Sequence, residues 1–135
     1  MKKLLLTLLI GFNLFASDAE LAAKIHLSIA KECTKKQNPK IYLHGDIKEL
    51  RHNSTITTTL KCEEADFVIA STIQNLPDSC RGKLLFATRY KVFKKHPEVF
   101  GAFFWQKGRP NIIFDALSLK EHNLTLHPSF NKYIE

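Results

Sequence analysis

Apolar and polar residues follow two rhythms along this chain. From Asp18 to about Lys35, Leu21, Ala22, Ile25, Ile29 and Ala30 fall at helical spacing. That pattern predicts one amphipathic helix with Asp18 as its N-cap. Gln37-Asn38-Pro39 ends it, because proline cannot continue a helix and holds the preceding residue out of the helical region. Short apolar runs then take over. Lys40 to His44 reads as a strand, and Gly45-Asp46 turns the chain into a short helix reaching about Arg51. Between Ser54 and Leu60, Ile56, Thr58 and Leu60 alternate with Thr55, Thr57 and Thr59. This predicts a strand with one solvated face at a sheet edge.

Asp66 to Ala70 and Lys83 to Ala87 are compact apolar runs, as expected of strands buried on both faces. Ser71 to Leu76 is read as one or two helical turns, and a mixed helical stretch lies between Thr88 and Val99, broken near His96-Pro97. Ala102 to Gln106 and Asn111 to Phe114 flank Lys107-Gly108-Arg109-Pro110, a hairpin signal with glycine at the turn. Ser118 to His122 and Pro128 to Ile134 read as two short closing helices. Strands alternating with short helices predict an α/β fold: a small single-domain layered sandwich, its sheet mostly parallel with a C-terminal antiparallel hairpin. Crossover connections make the strands near residues 40, 66 and 83 parallel neighbours.

The first residues stand outside this rhythm. Met1-Lys2-Lys3 is a positive start, Leu4 to Phe15 is an apolar run, and the small residues Ala16, Ser17 and Ala19 follow. The run is too short for a ~30 Å hydrocarbon core, which needs about 20 residues. It has the form of a secretion signal, residues 1–19, with cleavage after Ala16 or Ala19, followed by a single domain over 20–135. No cysteine stands at the cleavage site for a lipid anchor. The chain of 135 residues has room for one domain, and of its net charge of +7, Lys2 and Lys3 carry two. The remaining basic residues are scattered, which reads as solvated surface. Together with export, this argues against a nucleic-acid partner.

Export places Cys33, Cys62 and Cys80 in an oxidising compartment. Cys62 precedes one predicted parallel strand and Cys80 the next. Parallel strands begin at the same sheet edge, so the two thiols should lie close enough to bridge. Cys33 also precedes a strand at that edge and competes for the same partners. No CxxC and no paired Cys/His spacing points to haem, a structural zinc or a thioredoxin-type redox centre. The six histidines show no HExxH, and Glu63-Glu64 is the one adjacent acidic pair. No G-x-S-x-G, P-loop or Rossmann glycine pattern is present. The expectation is a protein without a cofactor or metal and without enzymatic activity.

Two places remain for binding. The carboxyl edge of an α/β sheet is where ligands sit. Asp46, Ser71, Thr72 and Arg89 leave strands there and could meet an anion, although the same residue types also serve as ordinary helix caps. Phe100, Phe103, Phe104 and Trp105 crowd the hairpin. Phe103 and Trp105 share one strand face and Phe104 takes the other. One face fills the core; the second must be covered by the closing helices or by a partner, and Phe103, Phe104 and Trp105 are the candidate interface.

The chain resembles the YfiR family of small periplasmic proteins. The likeness lies in the glycine-led hairpin from Gly101, in Asn111-Ile112-Ile113-Phe114, and in Asn123-Leu124-Thr125-Leu126-His127-Pro128 with the last turn through Phe130 to Tyr133-Ile134. Upstream, Ile41 to Asp46 is similar to the family's first strand ending in Gly-Asp. Cys62 to Ser71 is similar to its cysteine-led strand, with the cysteine displaced, and the helix from Ala19 to Ala30 also corresponds. Asn123 stands where glycine is usual, and asparagine tolerates the same left-handed turn. A tryptophan usual after the first helix is missing, and the cysteines do not follow the family's two-bridge set. The resemblance implies a periplasmic regulator that restrains an inner-membrane diguanylate cyclase, or in related settings a sensor kinase, and that forms a homodimer. Release would follow a redox or ligand signal, with Cys62–Cys80 as the redox element. The alternative reading is a small-anion binder resembling one lobe of a solute-binding protein.

Overall fold

The computed structural model describes residues 17–135. The expected secretion signal, residues 1–19, lies outside the described residues apart from Ser17, Asp18 and Ala19. A six-stranded sheet carries the fold: β1 Lys40–His44, β2 Thr57–Thr59, β3 Phe67–Ala70, β4 Leu85–Ala87, β5 Val99–Gln106 and β6 Arg109–Phe114. Their spatial order is β2-β1-β3-β4-β5-β6. Every neighbouring pair is parallel except the β5–β6 hairpin. The predicted α/β architecture is therefore observed, with β1, β3 and β4 adjacent and parallel as expected.

Helix α1, Asp18–Thr34, packs on one sheet face. Ser17, rather than Asp18, is its N-cap: the Ser17 hydroxyl accepts from the Glu20 N–H at 3.1 Å. Asp18 and Glu20 then lie in the first turn, where negative charge suits the helix dipole. The buried stripe is Ala22, Ala23, His26, Ile29, Ala30 and Cys33, whereas Leu21 is exposed. The ring of His26, a residue without an apolar signature, thus takes a core position. Leu50 of α2, Lys48–Arg51, and Leu119 of α4, Ala116–Glu121, join this layer. So do Phe130, Tyr133 and Ile134 of the closing segment, whose Pro128–Tyr133 is a 3-10 helix. The opposite face is covered by Phe93 of α3, Tyr90–Lys95, and by the segment holding Cys62 and Cys80.

β3 and β4 are buried along their whole length, which explains why they read as unbroken apolar runs. The edge strand is shorter than expected. Ile56 is buried just before it, but Leu60 is 95% exposed and contributes nothing to the core. Ser71 to Leu76 is not helical. Thr72 Oγ1 accepts from the Gln74 N–H at 3.1 Å, and Asn75 adopts φ 60°, so side-chain bonding and a left-handed residue divert the chain into a loop. The hairpin turn is tighter than the sequence suggested. Pairing continues to Gln106↔Arg109, and only Lys107 and Gly108 turn, both at positive φ (53° and 73°). Two left-handed residues match the twist of the flanking strands.

Candidate functional site

The strand order places the switch point of the sheet between β1 and β3, where chain connections depart in opposite directions. Doubly wound sheets hold ligands in the crevice at that point. Here the chain's own groups lace the crevice together. The buried Ser71 Oγ accepts from the Asp46 N–H at 2.9 Å. His44 Nε2–H donates to the Gln74 carbonyl at 2.7 Å, and Arg51 Nη2 to the Gly45 carbonyl at 2.7 Å. Gly45 has φ 92°, and a Cβ there would overlap the Ser71 hydroxyl. Asp46, Ser71 and Thr72 are thus brought together, but as a brace that joins two strand ends. Arg89 lies elsewhere.

The more open feature is formed by the hairpin. β4 pairs with β5 only as far as Ala87↔Ala102, so Phe103 to Gln106 and their partners Arg109 to Ile112 continue as a two-stranded ribbon beyond the carboxyl end of β4. Arg89, at the N-cap of α3, and Tyr90 stand beside this ribbon. On the other side the closing segment reaches β6: Phe114 bridges Ile134, and the Glu135 N–H donates to the Phe114 carbonyl at 2.9 Å. The result is a groove of about 890 Å³. Tyr90 and Phe104 form one wall, their ring centroids 5.3 Å apart, and Asn111 and Ile113 line its floor. Lys132 and Tyr133 line it from the closing segment, with the Lys132 ammonium 5.2 Å from the Tyr133 ring centroid. Three cations, Arg89, Lys91 and Lys132, border the groove, with Glu135 the one acidic side chain in its lining.

The aromatic trio divides. Phe103 is 3% exposed and sits in the core edge-to-face with His26, centroids 5.0 Å apart, so its side chain is withdrawn from any partner. Phe104 is half-buried and Trp105 is 37% exposed; both line the groove. Sequence reasoning therefore found Arg89, Phe104 and Trp105 but not Tyr90, Lys91, Asn111, Lys132 or Tyr133. The usable signal was the hairpin's length, which exceeds that of every neighbouring strand.

Cys62 and Cys80 form a disulfide with Cα atoms 5.3 Å apart. Both are buried in the layer opposite α1, so a reductant reaches them only when that layer opens. Cys33 is free and buried against the other face, and the sheet itself separates it from the bridge. Burial pushes its thiol up to about 12, with the Glu32 charge adding to the effect. Among the described residues, no three His, Cys, Asp or Glu side chains gather closely enough to hold a metal ion. No helix among them is long and apolar enough to cross a membrane. No family model, curated protein or solved structure matches this chain.

Proposed function

We propose that this protein is an exported regulatory module of the YfiR type, which binds the extracytoplasmic part of a membrane signalling protein and restrains it. The reading is one of binding rather than catalysis, and the partner is of the diguanylate cyclase or sensor kinase class. The observation that carries it is the pair Phe104 and Trp105, left partly open on a ribbon that outruns the sheet. Aromatic side chains held on a rigid strand pair are efficient anchors for a partner, because little conformational freedom is lost on binding. Export is supported by the apolar leader with its two lysines, and a buried disulfide is compatible with an oxidising compartment. Because the bridge is buried, the release signal is assigned to the groove rather than to thiol chemistry.

The reading expects a membrane cyclase or kinase to be encoded beside this protein, and the test is capture of its soluble extracytoplasmic domain; a transporter permease in that place counts against it. Phe104→Ala with Trp105→Ala should abolish capture while the far-UV spectrum stays unchanged; undiminished capture rejects this ribbon as the docking element. A second reading, small-anion binding, is favoured by Arg89, Lys91 and Lys132 bordering the same groove. Thermal-shift screening across organic acids and phosphates checks it, and the absence of any hit removes it.

A further inference from the structure

β6 is the last strand of the sheet, and its outer edge is only partly occupied. In an antiparallel pair, residues alternate between exchanging backbone hydrogen bonds with the partner strand and directing them outward. The hairpin closes on Gln106↔Arg109, and the Asp115 N–H donates to the Phe100 carbonyl at 2.9 Å. Both fix the phase: Arg109, Asn111 and Ile113 bond to β5, while Pro110, Ile112 and Phe114 turn their backbone outward. The Phe114 carbonyl confirms this phase by accepting the Glu135 N–H from outside the hairpin. The closing segment takes up the edge only at Phe114, because Pro128–Tyr133 is a 3-10 helix and cannot run alongside a strand. Among the described residues nothing bonds the Ile112 N–H and carbonyl or the Pro110 carbonyl, which form an open stretch of strand edge bordering the groove.

A free backbone edge selects its occupant. Added strands are recognised through main-chain hydrogen bonds, with pockets for alternate side chains supplying specificity. The Arg89, Lys91 and Lys132 border outweighs Glu135 and favours carboxylates, and Phe104 with Tyr90 offers an apolar seat. The half-buried Phe104 and Asn111 are recessed between α3 and the closing segment, which suits a polypeptide better than a flat layer of lipid headgroups. We infer that the groove binds an extended acidic peptide segment, which adds as a strand to the β6 edge at Pro110–Ile112, in the groove that Arg89, Lys91 and Lys132 border. This inference rests on the regulatory reading above and names the chemistry of the partner segment. Pro110 limits the pairing by offering no N–H, which also protects the edge from indiscriminate association.

The experiment uses the purified protein and a fluorescein-labelled octapeptide alternating glutamate with valine and phenylalanine, read by fluorescence polarisation. Binding should weaken by about tenfold or more when every second peptide nitrogen is methylated, since this removes strand hydrogen bonds without altering the protein. Ile112→Pro, and separately Lys91→Glu with Lys132→Glu, should each produce a comparable loss at an unchanged melting temperature. Equal binding of the methylated peptide, or of a lysine counterpart, overturns the inference. So does tighter binding to phosphatidylglycerol-containing vesicles, or a dimer in solution that Ile112→Pro dissolves. If no peptide binds while Phe104→Ala with Trp105→Ala still abolishes capture of the signalling domain, the strand-addition inference falls and the regulatory reading stands.

Discussion

The His26 ring lies wholly buried between α1 and the sheet, edge-on to Phe86 and Phe103. Its Nδ1–H donates to the Ala22 carbonyl at 2.8 Å, and Nε2 has no partner among the described residues. Burial holds its pKa down at about 4, from 6.5, with the Ala22 bond opposing the shift. The folded state therefore resists a proton that the unfolded chain accepts. Stability from this residue is complete above pH 6.5 and declines as pH falls towards 4, by about 3 kcal/mol in all. Urea titrations at pH 7 and pH 5 should show much of this decline, and His26→Leu should flatten it. The carboxyls of Glu32 and Asp66 also titrate below their usual range; Lys35 chiefly holds down the first, and for the second burial opposes the shift but Lys36 and the Lys40 N–H together outweigh it. Their stabilisation is lost as pH falls through and below the ordinary carboxylate range, so it overlaps only the acid end of this window. Gly45 is the other residue whose chemistry is fixed by its place. Gly45→Ala meets both φ 92° and the Ser71 hydroxyl, and should destabilise by about 1–3 kcal/mol in the same titration.

Among the elements, the bridge and the hairpin were the most legible. Cys62 and Cys80 each stand before a parallel strand, and parallel strands start together, so topology made their pairing possible; it left Cys33 as a competitor, which the structure places on the other face of the sheet. The bridge spans a sequence separation of 18, and its removal by Cys62→Ala with Cys80→Ala should lower stability by about 3 kcal/mol. Native protein should retain the bridge under mild dithiothreitol, as read by mass after alkylation. Element boundaries were less legible. Alternation put Leu60 on the core face of the edge strand, yet strand pairing ends at Thr59 and the alternation has no sheet left to act on. Ser71 to Leu76 looked helical, but Thr72 Oγ1 accepts from the Gln74 N–H, a local bond that competes with a helix, while Ser71 Oγ accepts from the distant Asp46 N–H and ties the loop to β1.

For the whole molecule, helix α1 bears on where the expected signal peptide would be cut. Cleavage after Ala19 would delete Ser17 and Asp18, and with them the cap and part of the favourable charge of α1. Cleavage after Ala16 keeps both. The mature N-terminus should therefore be Ser17, as read by intact mass of the exported protein, and fractionation should find it outside the cytoplasm. The candidate groove belongs to this scale as well. It joins the α3 N-terminus, the hairpin ribbon and the closing segment, three parts far apart in sequence.

What the sequence determined by itself was local or periodic: helix and strand type, the parallel core and its hairpin, and the two cysteines at one sheet edge. These depend on spacing along the chain, and spacing is visible in one dimension. The tertiary structure alone decided that the switch-point residues Asp46 and Ser71 brace each other, that Phe103 turns inward to His26 while Trp105 stays partly open, and that Lys132 and Tyr133 face the ribbon. Those outcomes depend on how far β5 outruns β4 and on where the closing segment meets β6. Both are distances between elements, which no periodicity encodes.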